Sequence, residues 1–137
     1  MTTKTEREAG PRRVREPRHR AREVALQMLY QWEVGRVPMA EVQGMFWTDA
    51  DPSVRTMSEE QRAFAMRLAG GAADRVKDLD PVIVDAAEHW RIERMNVMDR
   101  LILRLAVYEF LHETDTPGKV IINEAIELAR TFSSDDA

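Results

Sequence analysis

The stretch VMDRLILRLAVYEFL, residues 97–111, decides the fold class of this chain. Eleven of its fifteen residues are apolar, and the polar ones are Asp99, Arg100, Arg104 and Glu109. A helix that is apolar on nearly every side is normally buried among other helices. We therefore predict that this stretch forms the central helix of the fold.

Apolar residues recur every three or four positions on both sides of this stretch, which is the spacing of a helix with one buried face. Two helix starts carry capping signals: Ser58 with Gln61 forms a capping box, and Asp80 is an N-cap followed by a proline at the first helical position. No segment has the pattern of a strand. The sequence therefore predicts an all-α bundle of about six helices, which begin near Arg18, Pro38, Ser58, Asp80, residue 97 and Pro117.

The helix predicted from Ser58 contains a glycine pair, Gly70 and Gly71, and follows a polar link over residues 48–57. A glycine inside a helix costs about 1 kcal/mol relative to alanine. We expect the close approach of another backbone to explain the pair.

The net charge of −4 over 137 residues hides a strong asymmetry. Residues 1–22 hold eight basic and three acidic side chains and carry +5, whereas the other 115 residues hold twelve basic and twenty-one acidic ones and carry −9. No apolar run approaches the roughly 18 residues of a membrane span, and no apolar segment near the start indicates secretion. Cysteine is absent, which fits a reducing compartment, so we expect a cytoplasmic protein.

Residues 1–17 contain Gly10, Pro11 and Pro17, and we predict that they form a disordered, arginine-rich arm. Every basic side chain from residue 7 to residue 22 is arginine. Because guanidinium groups bind phosphate through paired hydrogen bonds and stack on bases, this choice favours a nucleic acid partner over a merely solubilising tail. The arginines occupy the arm and one helix end rather than a whole helix face, which favours single-stranded RNA over a DNA major groove.

Residues that could support catalysis or bind a metal are scattered. The histidines at 19, 89 and 112 are far apart in the sequence, and the Glu-x-x-His pair formed by Glu109 and His112 lacks the second copy that di-iron helical bundles require. The glycine pair has neither the residues nor the preceding strand of a phosphate-binding loop. We therefore expect no enzymatic activity, no metal and no cofactor.

Two segments of the sequence resemble a known family. They are RHRARE followed by ALQMLYQW, residues 18–23 and 25–32, and LILRLAVY followed by KVIINEAIELA, residues 101–108 and 119–129. They resemble the NusB family of transcription antitermination factors over residues 18–137. The resemblance implies two small helical bundles that share a central helix, and a non-enzymatic role. It also implies binding of boxA RNA together with NusE, a ribosomal small-subunit protein, in an RNA polymerase antitermination complex with other Nus factors.

The resemblance also implies roles for individual residues. Arg18, Arg20 and Arg22 correspond to the arginine-rich RNA-binding motif of the family, and Asp136 corresponds to an acidic residue near the RNA. Tyr30 and Asp99 correspond to residues on the NusE side, although Tyr30 also fits a core position and Asp99 also fits an N-terminal helix acid. The arm extends the RNA-binding motif with three more arginines, Arg12, Arg13 and Arg15.

The chain departs from the family pattern at its end, because the family continues with a further helix after the position of Asp136. We therefore expect a single domain over residues 18–137 that lacks this helix, with apolar surface exposed around Ile126 unless a homodimer covers it. We expect Asn123 and Glu124 to orient a helix junction. Two alternatives to an antitermination factor are the NusB-like RNA-binding module of an rRNA methyltransferase and a structural helical homodimer.

Overall fold

Seven α-helices and one 3₁₀ turn are present in residues 17–48, 52–86 and 91–133, the part of the chain that the computed structural model describes. They are α1 (His19–Glu33), α2 (Met39–Phe46), α3 (Pro52–Arg55), α4 (Glu59–Asp74), α5 (Val76–Ala86), the 3₁₀ turn (Ile92–Arg94), α6 (Val97–His112) and α7 (Gly118–Phe132). No strand occurs in these ranges, and the predicted all-α class is confirmed. Of the predicted arm, only Pro17 lies within them.

Helix α6 is the central helix, as predicted, and packs against α1, α4, α5 and α7. Helices α1, α2 and α4 pack together, with α1 and α4 against α6, and α5 and α7 each pack against α6, which the two small bundles share. The apolar side chains that α6 buries are Leu101, Ile102, Leu105 and Tyr108. Two polar side chains of this helix, Arg104 and Glu109, are buried as well, so these two positions also face neighbouring helices.

The prediction that a helix begins at Asp80 is wrong. Helix α4 ends at Asp74, and α5 already begins at Val76, which places Pro81 inside α5. Asp80 does not cap a helix start; instead its two carboxylate oxygens accept hydrogen bonds from Arg104 of α6, at 2.8 and 2.9 Å. The capping pattern of Asp80 and Pro81 therefore fails, because Asp80 pairs with a neighbouring helix. The polar link over residues 48–57 contains the short helix α3, which the sequence pattern does not indicate.

The glycine pair is explained by a side chain rather than by a backbone. A Cβ at Gly71 would overlap the ring of Tyr108 from α6, so only glycine lets this ring lie against α4. A Cβ at Gly70 would meet only the side-chain amide of Gln43, at 3.4 Å. The expected approach of another backbone is therefore wrong, and the contact at Gly71 is made by a side chain that packs α6 against α4.

Helix α7 buries one face and exposes another. Ile121, Glu124 and Leu128 are buried against the rest of the protein, whereas Ile122 and Ile126 are 55% and 46% exposed. The predicted apolar surface around Ile126 is thus confirmed.

Candidate nucleic-acid interface

The three arginines at the start of α1 lie in three different environments. Arg18 and Arg22 are four residues apart and so share one face of the helix, with Arg22 one turn further in, whereas Arg20 lies on another face. The side chains of Arg18 and Arg20 are 21% and 29% exposed, and that of Arg22 is 3% exposed. The three arginines therefore differ in burial, although they look equivalent in the sequence.

Arg18 lies at the junction of α1 with the first turn of α4. Its Nε and Nη2 donate to Oε2 of Glu60, at 3.2 and 2.7 Å, and its Nη1 is 3.9 Å from Oδ2 of Asp115. The guanidinium carbon is 4.0 Å from the centre of the Phe64 ring. The ring supports the guanidinium plane, and carboxylates face its edges. The backbone just before Arg18 is also held, because Gln61 donates to the carbonyl of Pro17 at 3.1 Å.

Arg20 connects α1 to the short helix α3. Its Nη1 donates to Oε1 of Glu23 at 2.7 Å, and its Nη2 donates to Oγ of Ser53 at 3.1 Å. Both partners are polar groups near the surface. The guanidinium group thus stays at the edge of the protein, where a phosphate can approach it.

Arg22 forms a buried ion pair with the central helix. Its Nε and Nη2 donate to Oε1 and Oε2 of Glu109, at 2.9 and 2.5 Å, and the two side chains are equally buried. That Arg22 contacts RNA stays a prediction, and the burial of its guanidinium group against Glu109 favours a structural role. Arg22 fixes α1 to α6.

The contact between α1 and α6 extends to α7 through Glu124. Oε1 of Glu124 lies 2.7 Å from Nδ1 of His19 and 3.8 Å from Nη1 of Arg22, and Nε2 of His19 lies 3.1 Å from Oε2 of Glu23. A neutral imidazole donates to only one of two such carboxylates, whereas a protonated one donates to both. The prediction that Glu124 orients a helix junction is confirmed. Asn123 is exposed and does not lie in this junction.

Arg67 is a surface cation that the sequence analysis missed. It lies on α4, one turn after Phe64, and its guanidinium carbon is 5.4 Å from the centre of the Phe64 ring. Nε and Nη2 donate to Oε2 and Oε1 of Glu113, at 3.0 and 3.2 Å. The hydrogen bond to Glu113 raises the pKa of Arg67 above its ordinary value. In the sequence, the only signal for Arg67 is that it follows Phe64 by one helical turn. The structure places Phe64 beside Arg18 as well, and this ring connects Arg67 to the start of α1.

The residues predicted on the partner side lie at the other end of α1. Tyr30 is twelve residues from Arg18, about 18 Å along a helix, and it is 39% exposed, so the alternative of a core position is wrong. Asp99 lies in the first turn of α6, where its backbone N–H donates to Asn96 and its Oδ1 accepts a hydrogen bond from Ser133 at 2.6 Å. Asp99 is thus a helix-start acid, as the alternative had it, but it is also in contact with the end of α7.

Glu33 brings these two residues to the same end of the molecule. It lies one turn after Tyr30 and is 3.6 Å from Arg100, the neighbour of Asp99. The other predicted site residues, Arg12, Arg13, Arg15 and Asp136, lie outside the described residues. Within the described ranges no helix is long and apolar enough to cross a bilayer, and no group of three or more potential metal ligands comes together.

These features belong to an all-α protein of two bundles whose first helix has partly exposed arginines at one end and an exposed tyrosine at the other. The model of the NusB family matches residues 19–137. The chain belongs to the NusB family. The resemblance in the two quoted segments is thereby confirmed, and it extends over the whole described fold.

Relatives and a solved structure support this assignment. The transcription antitermination proteins NusB of Koribacter versatilis and Symbiobacterium thermophilum are each 42% identical to this chain, over 120 and 123 residues, which is 88% of this chain and 80% of each relative. The solved structure of T. maritima NusB superposes with a TM-score of 0.74 at 31% identity, covering 89% of this chain and 82% of that one. The family is one of transcription antitermination proteins.

Proposed function

We propose that this chain acts in transcription antitermination as a non-enzymatic adaptor that binds boxA-type single-stranded RNA together with the ribosomal protein NusE. Family membership supports the general role. The observation that carries the RNA part is the pair of partly exposed arginines at the start of α1, Arg18 and Arg20. Arg22 serves this surface by holding α1 against α6.

The opposite end of α1 suits a protein partner. Tyr30 and Val34 are one turn apart and are 39% and 47% exposed, which gives an apolar patch beside the charged pair of Glu33 and Arg100. A basic ribosomal protein would be attracted to the net charge of −9 carried by residues 23–137. The proposal thus assigns RNA and NusE to the two ends of one helix, so that both are bound at once.

Salt-dependent binding of RNA tests the proposal. Fluorescence anisotropy of labelled boxA RNA is measured with and without NusE between about 50 and 200 mM salt. Wild-type affinity is expected to fall steeply with salt and to rise when NusE is present. Replacing Arg18 and Arg20 with alanine is expected to flatten the plot of log affinity against log salt by about 0.7 for each lost phosphate contact.

The matched control is Arg94→Ala in the 3₁₀ turn, which removes the same charge at the far end of α6, about 24 Å from the α6 C-terminus. This variant is expected to keep the wild-type slope. An unchanged slope in the Arg18 and Arg20 variants would refute the assignment of these arginines. No preference for boxA over a scrambled RNA of equal length would refute the boxA part.

A homodimer is a second proposal, favoured by one specific observation. Gly118, Ile122 and Ile126 follow one another at helical spacing along α7, and the ring of Phe110 would lie 3.1 Å from a Cβ at Gly118. Phe110, Ile122 and Ile126 are each about half exposed. An apolar strip of this kind suits a second copy of the chain.

A further inference from the structure

The ring of Phe64 lies beside three guanidinium groups. Its ring is fully buried, and the guanidinium groups of Arg18, Arg22 and Arg67 lie at 4.0, 5.2 and 5.4 Å from its centre. Arg22 is the interior member of this group, whereas Arg18 and Arg67 reach the surface. Both of these groups therefore lie beside one ring, although one belongs to the start of α1 and the other to α4.

Arg67 is the more accessible of the two surface arginines. Its side chain is 46% exposed, compared with 21% for Arg18. Its carboxylate partner Glu113 is only 10% exposed and lies just after the end of α6. The pair therefore presents its cationic side to solvent and keeps its anionic side inside the protein.

Carboxylates of the protein occupy the hydrogen-bonding edges of both arginines. The loop between α6 and α7 supplies Glu113 to Arg67 and Asp115 to Arg18, and α4 supplies Glu60 to Arg18. A phosphate offers a guanidinium group the same pair of acceptor oxygens as a carboxylate. Each arginine is thus kept in an orientation that binds an anion, and a phosphate can replace the carboxylate.

We propose that Arg67 is a further phosphate-binding residue, which extends the RNA surface from the start of α1 onto α4 and exchanges Glu113 for an RNA phosphate. This inference rests on the proposed function, because it assumes that single-stranded RNA binds beside Arg18. It adds to that function a residue on another helix and a carboxylate that competes with the ligand. A purely structural ion pair is the alternative.

Two substitutions distinguish a phosphate contact from a structural pair, because they act in opposite directions. Arg67→Ala is expected to weaken binding of labelled boxA RNA and to flatten the salt plot by about 0.7. Glu113→Gln keeps the shape of the side chain, removes the competing charge, and is expected to strengthen RNA binding by up to about fivefold, the size of a partly exposed ion pair. In the double variant the gain from Glu113→Gln is expected to disappear. A merely structural pair would lower thermal stability in both single variants and leave the salt slope unchanged.

Arg94→Ala and Glu93→Gln are the controls, since they remove the same charges from exposed positions of the 3₁₀ turn. An unchanged slope for Arg67→Ala, or weaker binding by Glu113→Gln, would overturn the inference. If Arg18→Ala flattens the slope and Arg67→Ala does not, the inference fails and the proposed function stands. If neither variant changes the slope, the arginine surface of the proposed function fails as well.

Discussion

Replacing Arg22 with alanine is expected to affect stability far more than the replacement of its neighbours. The side chains of Arg22 and Glu109 are each 3% exposed, and two hydrogen bonds join them. Removing one partner of a buried pair leaves an uncompensated charge and costs about 3–5 kcal/mol. Single domains have a total stability of about 5–15 kcal/mol, so this loss is a large part of it. For Arg20→Ala, which breaks only partly exposed contacts, we expect about 0–1 kcal/mol.

Urea unfolding followed by circular dichroism measures this difference. With a slope of about 2 kcal/mol per M, the loss at Arg22 lowers the unfolding midpoint by about 2 M, and the slope itself should not change. If the wild-type stability is near the lower end of the range of about 5–15 kcal/mol, alanine replacement of Arg22 lowers apparent RNA binding simply because less protein is folded. Binding of this variant has to be corrected for the folded fraction.

A second variant distinguishes a structural role of Arg22 from a direct contact with RNA. Combining Arg22→Met with Glu109→Leu replaces the buried pair by apolar side chains of similar size, which is often neutral or stabilising. This variant is expected to stay folded and to keep the wild-type salt slope for boxA RNA. A loss below about 1 kcal/mol in Arg22→Ala would refute the argument from burial. A slope flattened by about 0.7 in the folded double variant would show that Arg22 does contact phosphate.

Three further outcomes are expected. Gly70→Ala should stabilise α4 by about 1 kcal/mol in urea unfolding, whereas Gly71→Ala should be less stable than Gly70→Ala by about 1–3 kcal/mol, because only the second Cβ overlaps the Tyr108 ring. Equal stability of the two variants would contradict the packing described for this ring. Tyr30→Ala should weaken NusE binding at least tenfold in calorimetry, the effect of losing an interface anchor of about 2 kcal/mol, and leave binding of RNA alone unchanged. Ile126→Glu should reduce self-association in sedimentation equilibrium, and a wild-type chain that is monomeric at high concentration would refute the homodimer.

The helices follow from local sequence wherever no distant residue competes. The capping box predicted at Ser58 forms, with hydrogen bonds of 2.9 and 3.1 Å to and from Gln61. The equally clear signal at Asp80 fails, because Arg104 of α6 binds its carboxylate from 24 residues away. Local patterns thus predict a helix end only where the capping side chain has no stronger partner in the tertiary structure.

In the candidate site, too, local sequence and distant residues determine different features. Sequence pattern and family resemblance pick out Arg18, Arg20 and Arg22 as a group, and they do not rank them. The ranking depends on Glu109, which lies 87 residues further along the chain and reaches Arg22 only when α6 packs against α1. Arg67 escaped notice for a similar reason, because its link to Arg18 is the ring of Phe64 and no sequence spacing shows it.

Composition, periodicity and short segments are enough to predict the all-α class, the central helix at residues 97–111, the basic start of α1 and the family. Which charges are inside and which face solvent depends on how the helices pack. The cost of burying a charge depends on its partner, and the partners of Arg22 and Arg104 are Glu109 and Asp80, which lie on other helices. Arginines at neighbouring positions therefore differ in role: Arg22 stabilises the fold, whereas Arg18 and Arg20 remain partly exposed.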